Sequence, residues 1–69
     1  MDPCDVMLIW DEERQAFLVH GQSDEHDEWL ASNAAEYSGF TPLIRSKDIL
    51  SRYLVWICQR GETAKVSRG

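Results

Sequence analysis

Two apolar runs of strand length, separated by four polar residues, constrain the fold more than any other feature of this sequence. The first run extends from Val6 to Trp10 and the second from Gln15 to His20, with Gly21 directly after it. Two such runs joined by a short polar segment predict a β-hairpin. A two-stranded hairpin is marginally stable alone, so other parts of the chain must pack against it. Because both runs are apolar at nearly every position, we expect cover on both faces of the hairpin.

The segment after the hairpin has the pattern of a helix. Ser23 suits an N-cap, and four acidic residues crowd the first turns, where the helix dipole favours negative charge. Apolar residues from Trp29 to Tyr37 then recur at helical spacing. Gly39 is suited to the left-handed conformation that often ends a helix. These signals predict a helix that begins after Ser23 and stops at Gly39.

A second helix is predicted to begin at Pro42 or Ser46 and to end at Gln59. A dense apolar run of this length also fits a strand, so periodicity leaves the alternative of strands at 53–58 and around 64–66. We expect Leu54 and Ile57 to be core residues in either case. The predicted apolar face comprises Leu43, Leu50, Leu54, Ile57 and Cys58, widened by Ile49, Tyr53 and Trp56.

The predicted fold class is α+β, with an N-terminal β-hairpin packed against two helices in the order ββαα. The alternative is ββα followed by a C-terminal β-hairpin. With 69 residues the chain is expected to form one small domain over 1–69, in which the polar segment 61–69 is a flexible tail. A core this thin must be densely packed or gain area by binding another chain.

Charge is divided unevenly along the chain. Residues 1–40 contain ten acids and one base, whereas residues 41–69 contain two acids and six bases, within a net charge of −5. A chain polarised in this way either pairs its charges internally or presents faces of opposite sign. Because nucleic-acid-binding modules usually carry net positive charge, direct binding of nucleic acid is not expected.

Neither a metal site, a cofactor nor an active site is predicted. The spacing from His20 to His26 matches no standard zinc arrangement, and Cys4 and Cys58 form no CxxC pair. Cys58 lies in an apolar run, where a buried thiol without a catalytic role is the ordinary interpretation. The sequence has no glycine-rich phosphate loop and no nucleophile elbow. We therefore expect a protein that is not an enzyme.

The sequence predicts a cytoplasmic location with no membrane association. No apolar run approaches the roughly 20 residues that span a bilayer, and the first residues lack the pattern of a signal peptide. Two cysteines are too few for a disulfide framework, so both thiols are expected to be free, with a Cys4–Cys58 disulfide as the alternative.

The function predicted from these features is that of a small acidic protein-binding module. In its more specific form, the chain is an inhibitor that occupies a basic nucleic-acid-binding surface of its target, as some small phage proteins do, an analogy from size and charge only. The alternative is a structural or regulatory homodimer whose hairpin edges pair across a two-fold axis. Tryptophan is enriched at interaction hot spots, so two tryptophans join the candidate site. The predicted partner-binding residues are Trp10, Asp11, Glu12, Glu13, Asp24, Glu25, Asp27, Glu28 and Trp29.

Overall fold

The computed structural model describes residues 6–33 and 36–68 and contains a five-stranded sheet with two helices. The strands lie in the order β3-β4-β2-β1-β5, and the helices interrupt them along the chain. The α+β class is confirmed, but the predicted order ββαα is not what the structure has. The elements are β1 (Val6–Asp11), β2 (Ala16–His20), α1 (Asp24–Asn33), β3 (Glu36–Ser38), β4 (Thr41–Ile44), α2 (Lys47–Gln59) and β5 (Ala64–Ser67).

The predicted hairpin is confirmed as the antiparallel pair β1–β2, in which Leu8 lies opposite Val19. The carboxylate of Asp11 organises the turn, because its Oδ1 accepts hydrogen bonds from the backbone N–H groups of Glu13 at 2.9 Å and Arg14 at 3.2 Å. Gln15 completes the turn with a φ of 53°. An aspartate-capped turn with one left-handed residue thus replaces the Asn-Gly signal that the sequence lacks.

The segment between the helices forms strands where the sequence predicts helix. Helix α1 ends at Asn33, and β3 and β4 follow as an antiparallel pair, with Tyr37 opposite Pro42. β4 also pairs with β2, which makes Pro42 part of a strand rather than the first turn of a helix. Proline fits the first positions of either element, so pairing with a distant strand decides between them. Helix α2 begins after the other predicted start, Ser46, whose side chain accepts from the Ile49 N–H.

The C-terminal segment, predicted to be a flexible tail, contains β5. This strand runs parallel to β1, with Val6 opposite Ala64 and Ile9 opposite Ser67. The Val6 N–H also donates to the carbonyl of Thr63 at 3.0 Å. The alternative strand around residues 64–66 therefore exists, but its partner is β1, because residues 53–58 belong to α2. Because β5 contains few apolar residues, its sequence alone indicates a strand only weakly.

The core lies between the two helices and one face of the sheet. Its fully buried side chains include Tyr53 and Ile57 of α2, so the prediction for Ile57 is confirmed. The prediction for Leu54 is wrong, since that side chain is 36% exposed, and Cys58 is also exposed. The face of α2 that packs against the core comprises positions 49, 50, 53, 56 and 57. Because residues 53–58 are all apolar, the sequence does not show which face of the helix is buried. The buried cluster comprises Val6, Leu8, Val19, Leu30, Ile44, Tyr53 and Ile57.

The other face of the sheet carries no helix among the described residues. Side chains alternate along a strand, so Met7, Ile9 and Leu18 project away from the core. Met7 is 42% exposed, while Ile9 and Leu18 are half-buried. Helices thus cover one hairpin face, and the other face is only partly covered, since Ala16 and Leu43 are buried beside Leu18. Within residues 6–33 and 36–68, neither helix has the length and apolarity needed to cross a membrane.

Candidate partner-binding surface

The seven predicted acidic residues lie at opposite ends of the β1–β2 hairpin. One group occupies the β1–β2 turn, and the other occupies the first turns of α1. His26 in that helix bonds to Glu62, which precedes the strand that starts beside Val6. The α1 group therefore lies near the start of β1, and the six residues of this strand separate the two groups by about 17 Å. The seven carboxylates do not form one continuous face.

In the hairpin turn, part of the acidic charge is used to hold the turn together. Arg14 Nη1 donates to Asp11 Oδ2 at 2.6 Å, and Gln15 Nε2 donates to Glu12 Oε2 at 3.1 Å. Hydrogen bonds from the side chain and backbone of Arg14 lower the pKa of Asp11 from its ordinary value, against the opposing effect of burial. Glu13 makes no side-chain hydrogen bond within the described ranges. Local hydrogen bonds therefore shape this group.

The acidic group of α1 begins where the sequence predicts the helix to start. The hydroxyl of Ser23 accepts from the His26 N–H at 3.4 Å, which satisfies one of the free donors of the first turn. The four carboxylates that follow are stabilised by the positive end of the helix dipole. We call them the acidic crest of α1, which comprises Asp24, Glu25, Asp27 and Glu28.

Two members of the acidic crest have polar partners, and two point to solvent without one. Arg60 Nη2 donates to Glu25 Oε1 at 2.7 Å, and Gln22 Nε2 donates to Asp27 Oδ1 at 3.2 Å. Asp24 and Glu28 are exposed and make no side-chain hydrogen bond or ion pair with any described residue. The crest thus retains negative charge that is available to another molecule.

A groove of about 430 Å³ separates the acidic crest from the β3–β4 turn. The Tyr37 hydroxyl donates to the Asp27 carbonyl at 3.3 Å and joins the two sides of this groove. Gly39 takes a φ of 64° in the turn, and the Phe40 side chain beside it is 98% exposed. We call this feature the Phe40 groove. Its lining residues are Asp24, Asp27, Glu28, Ala31, Tyr37, Gly39 and Phe40.

Sequence reasoning missed Phe40, although a turn-adjacent phenylalanine after glycine was visible as a signal. The helix predicted to stop at Gly39 left Phe40 in a connecting loop. Only the β3–β4 pairing shows that the ring stands at a tight turn beside α1. Phe40 shares this groove with Tyr37, which is 40% exposed, so the two rings form an exposed apolar patch of the kind that marks interaction sites.

The two predicted tryptophans lie on different surfaces. Trp29 stacks on Trp56 with ring centroids 5.5 Å apart and planes inclined by 23°. Trp10 instead meets Phe17 edge-on at 5.0 Å, in a groove of about 490 Å³ that also involves Val66. Trp29 therefore belongs with the acidic crest, and Trp10 does not. Trp56, which was assigned only to a helix face, joins Trp29 at the surface.

The side chain of His26 is 2% exposed and joins α1 to α2 and to the chain before β5. Its Nδ1 lies 3.0 Å from the Tyr53 hydroxyl, and its Nε2 lies 2.5 Å from Glu62 Oε1. Burial, together with the negative charges of Glu62 and Asp27, raises the pKa of Tyr53, so its hydroxyl stays protonated near neutral pH.

The charge on Glu62 is stabilised from two sides. Burial raises its pKa, but the hydrogen bond and charge of His26 and the Arg60 guanidinium outweigh that effect and lower the pKa from its ordinary value. Arg60 Nε donates to Glu62 Oε2 at 3.3 Å. Since His26 has almost no contact with solvent, the arrangement is suited to holding α1, α2 and the chain before β5 together rather than to chemistry on a substrate.

No three His, Cys, Asp or Glu side chains come together as a potential metal site in the part of the chain that the structure describes. Cys58 is a free thiol on the exposed side of α2, and the Cys4 half of the alternative disulfide lies outside the described residues. His20, at the end of β2, is exposed and lies apart from the buried His26.

Comparison with known proteins gives no relative from which a function could be transferred. No protein-family model matches the chain, and neither a curated protein nor a solved structure is significantly similar to it.

Proposed function

We propose that this chain is a small acidic protein-binding module that docks its acidic crest and Phe40 groove on a basic surface of a partner protein. The observation that carries the proposal is the Phe40 ring, 98% exposed beside the carboxylates of Asp24, Asp27 and Glu28. Burying one such ring contributes about 1.5–3 kcal/mol, and the carboxylates add orientation and a faster encounter with a basic partner. The proposed role requires no catalysis.

We propose that the target surface is one that binds nucleic acid. The acidic crest would cover a smaller part of that surface than all seven predicted acidic residues together. The crest extends over four residue steps of helix, about 6 Å along its axis. Phosphates recur about every 3.4 Å along one strand of DNA, so the crest matches the charge of only two or three phosphates. A short basic patch flanked by an apolar pocket for Phe40 therefore suits the partner better than a long groove.

The net charge of −5 supports a protein partner rather than nucleic acid or an anionic membrane, both of which would repel the crest. We also propose a cytoplasmic location, since a reducing compartment would keep the exposed Cys58 thiol free.

A homodimer is the second candidate, favoured by the apolar side chains on the helix-free face of the sheet. Met7 is 42% exposed there, beside the half-buried Ile9 and Leu18. Pairing through the hairpin edges is not available, because β1 lies between β2 and β5, and β2 lies between β1 and β4. A dimer would therefore use the helix-free face or the outer strands β3 and β5.

The experiment compares capture of partners from cells by three forms of the full chain. The test form is Phe40→Ser combined with Asp24→Asn and Glu28→Gln, and the control is Glu13→Gln, which alters an exposed acid at the opposite end of the hairpin. We expect wild type and control to capture the same basic protein, with yield falling as salt rises, and the test form to lose it. Equal capture by all three forms would contradict the proposal.

A further inference from the structure

We infer that the groove beside Trp29 and Trp56 is a guanidinium site that takes an arginine side chain of the partner. This groove has a volume of about 350 Å³ and adjoins the Phe40 groove on α1, with Glu28 lining both. The inference rests on the proposed function, since it specifies which basic group the partner brings to the acidic crest. We call the site the tryptophan groove, and its lining residues are Glu25, Glu28, Trp29, Ser32, Asn33 and Trp56.

The aromatic wall of the tryptophan groove is held in place by packing behind it. Trp29 and Trp56 stack on each other, and the buried ring of Tyr53 lies 5.4 Å from Trp29 and 6.3 Å from Trp56. The ring of His26 meets Trp56 edge-on at 5.0 Å. Indole faces attract cations more strongly than the other aromatic rings, and a wall fixed by its neighbours loses little entropy on binding.

Acidic side chains stand beside that wall at the spacing that helical geometry requires. Glu25 and Trp29 are four residues apart, and Glu25 and Glu28 are three apart, so all three line one side of α1. Glu25 forms an ion pair with Arg60, whereas Glu28 has no ion-pair partner among the described residues. An incoming cation would therefore find an aromatic face and one uncompensated carboxylate in the same groove.

The chain already holds one guanidinium in the manner that we infer for the partner. Arg60 lies with its Cζ 4.7 Å from the ring centroid of Trp56, and its Nη2 donates to Glu25 Oε1 at 2.7 Å. The same two kinds of group, an indole ring and a carboxylate, line the tryptophan groove as Trp29 and Glu28. A planar guanidinium can stack on indole and present two parallel donors to a carboxylate, which a lysine ammonium cannot do. Arginine is for this reason the expected partner residue.

The test uses the full chain and three short peptides that differ in one side chain, with arginine, lysine or citrulline at the centre. Citrulline keeps the shape of arginine but has no charge. The readout is the indole N–H resonance of each tryptophan by NMR, with Trp10 as an internal reference because it lies on a different groove. We expect the arginine peptide to shift the Trp29 and Trp56 signals with millimolar affinity, lysine to bind less well, and citrulline to cause no saturable shift.

The matched variants are Glu28→Gln in the tryptophan groove and Glu13→Gln in the hairpin turn, both at exposed positions. Glu28→Gln should weaken binding of the arginine peptide about five-fold, and Glu13→Gln should leave it unchanged. Equal shifts with arginine and citrulline, or an unchanged affinity in Glu28→Gln, would overturn the guanidinium site. A Phe40→Ser variant should bind the arginine peptide as wild type does. If that variant loses the partner protein, the loss is therefore assigned to the Phe40 groove and not to the tryptophan groove.

Discussion

His26 joins helix α1 to the chain just before β5, because its Nε2 lies 2.5 Å from Glu62 Oε1. The two residues are 36 positions apart, and β5 then pairs with the first described strand. This contact, with the Tyr53 hydroxyl on the other ring nitrogen, fixes the end of α1 that carries the acidic crest. The buried network thus supports the surface to which we assign partner binding.

Replacing the buried His26 should destabilise the fold. His26→Phe would remove both hydrogen bonds, and Glu62 would retain only its contact with Arg60. We expect a loss of about 1–3 kcal/mol in the free energy of unfolding, measured by urea denaturation, and about 1 kcal/mol for Tyr53→Phe. A His26→Phe variant as stable as wild type would show that the network contributes nothing to folding.

The same network predicts a specific response to acid. The folded chain lowers the pKa of Glu62 from its ordinary value of 4.5, so its contribution to stability is complete above that value. As pH falls through the lower, folded-state pKa, the contribution is lost. Glu62→Gln should therefore be less stable than wild type at neutral pH, and the difference should shrink below pH 4.5. The measurement is a series of denaturation curves between pH 7 and pH 3, and a constant difference would contradict the prediction.

Two apolar residues of α2 provide a matched test of the core. Ile57 is 1% exposed and Leu54 is 36% exposed, although they lie one turn apart on the same helix. We expect Ile57→Ala to lower the free energy of unfolding by about 2–5 kcal/mol, because it leaves a cavity. Leu54→Ala should cost about 1 kcal/mol or less, since its side chain already meets water. Equal costs would mean that α2 packs in a different phase.

The parallel pairing of β5 with β1 can be tested by truncation. Ending the chain after Thr63 removes the strand partners of residues 6–9 and should cost about 2–4 kcal/mol, with faster amide exchange along the freed edge of β1. Ending it after Ser67 removes only residues beyond the strand and should have no measurable effect. If both truncations were neutral, the segment would behave as the flexible tail that its sequence suggests.

Short sequence patterns predicted the helix starts and the hairpin, which are determined by interactions between residues close in sequence. The polar turn between two apolar runs gave the β1–β2 hairpin, and the N-caps Ser23 and Ser46 marked the starts of both helices. The phase of α2 was not predictable, because nearly every position from residue 53 to 58 is apolar. Only packing against the sheet selects Tyr53 and Ile57 for burial over Leu54.

The features that were missed depend on residues far apart in sequence. β4 is a strand because Leu43 and Ile44 pair with β2, and β5 is a strand because it completes the other edge of β1. The acidic residues were correctly placed on α1 and on the hairpin turn, but their separation follows from the start of α1 near the end of β2 that lies far from the turn. Trp56 and Phe40 join the candidate site only when these pairings are known.

The central claim, that the acidic crest and Phe40 groove bind a basic partner protein, is tested most directly by photo-crosslinking in cells. Benzoylphenylalanine is placed at Phe40, where a fully exposed ring can be enlarged without disturbing the core, and separately at Met7 on the helix-free face. We predict that the probe at position 40 yields one adduct with a different, basic protein and that Asp24→Asn with Glu28→Gln abolishes it. An adduct formed only from position 7, with the mass of two copies of this chain, would contradict the claim and establish the homodimer instead.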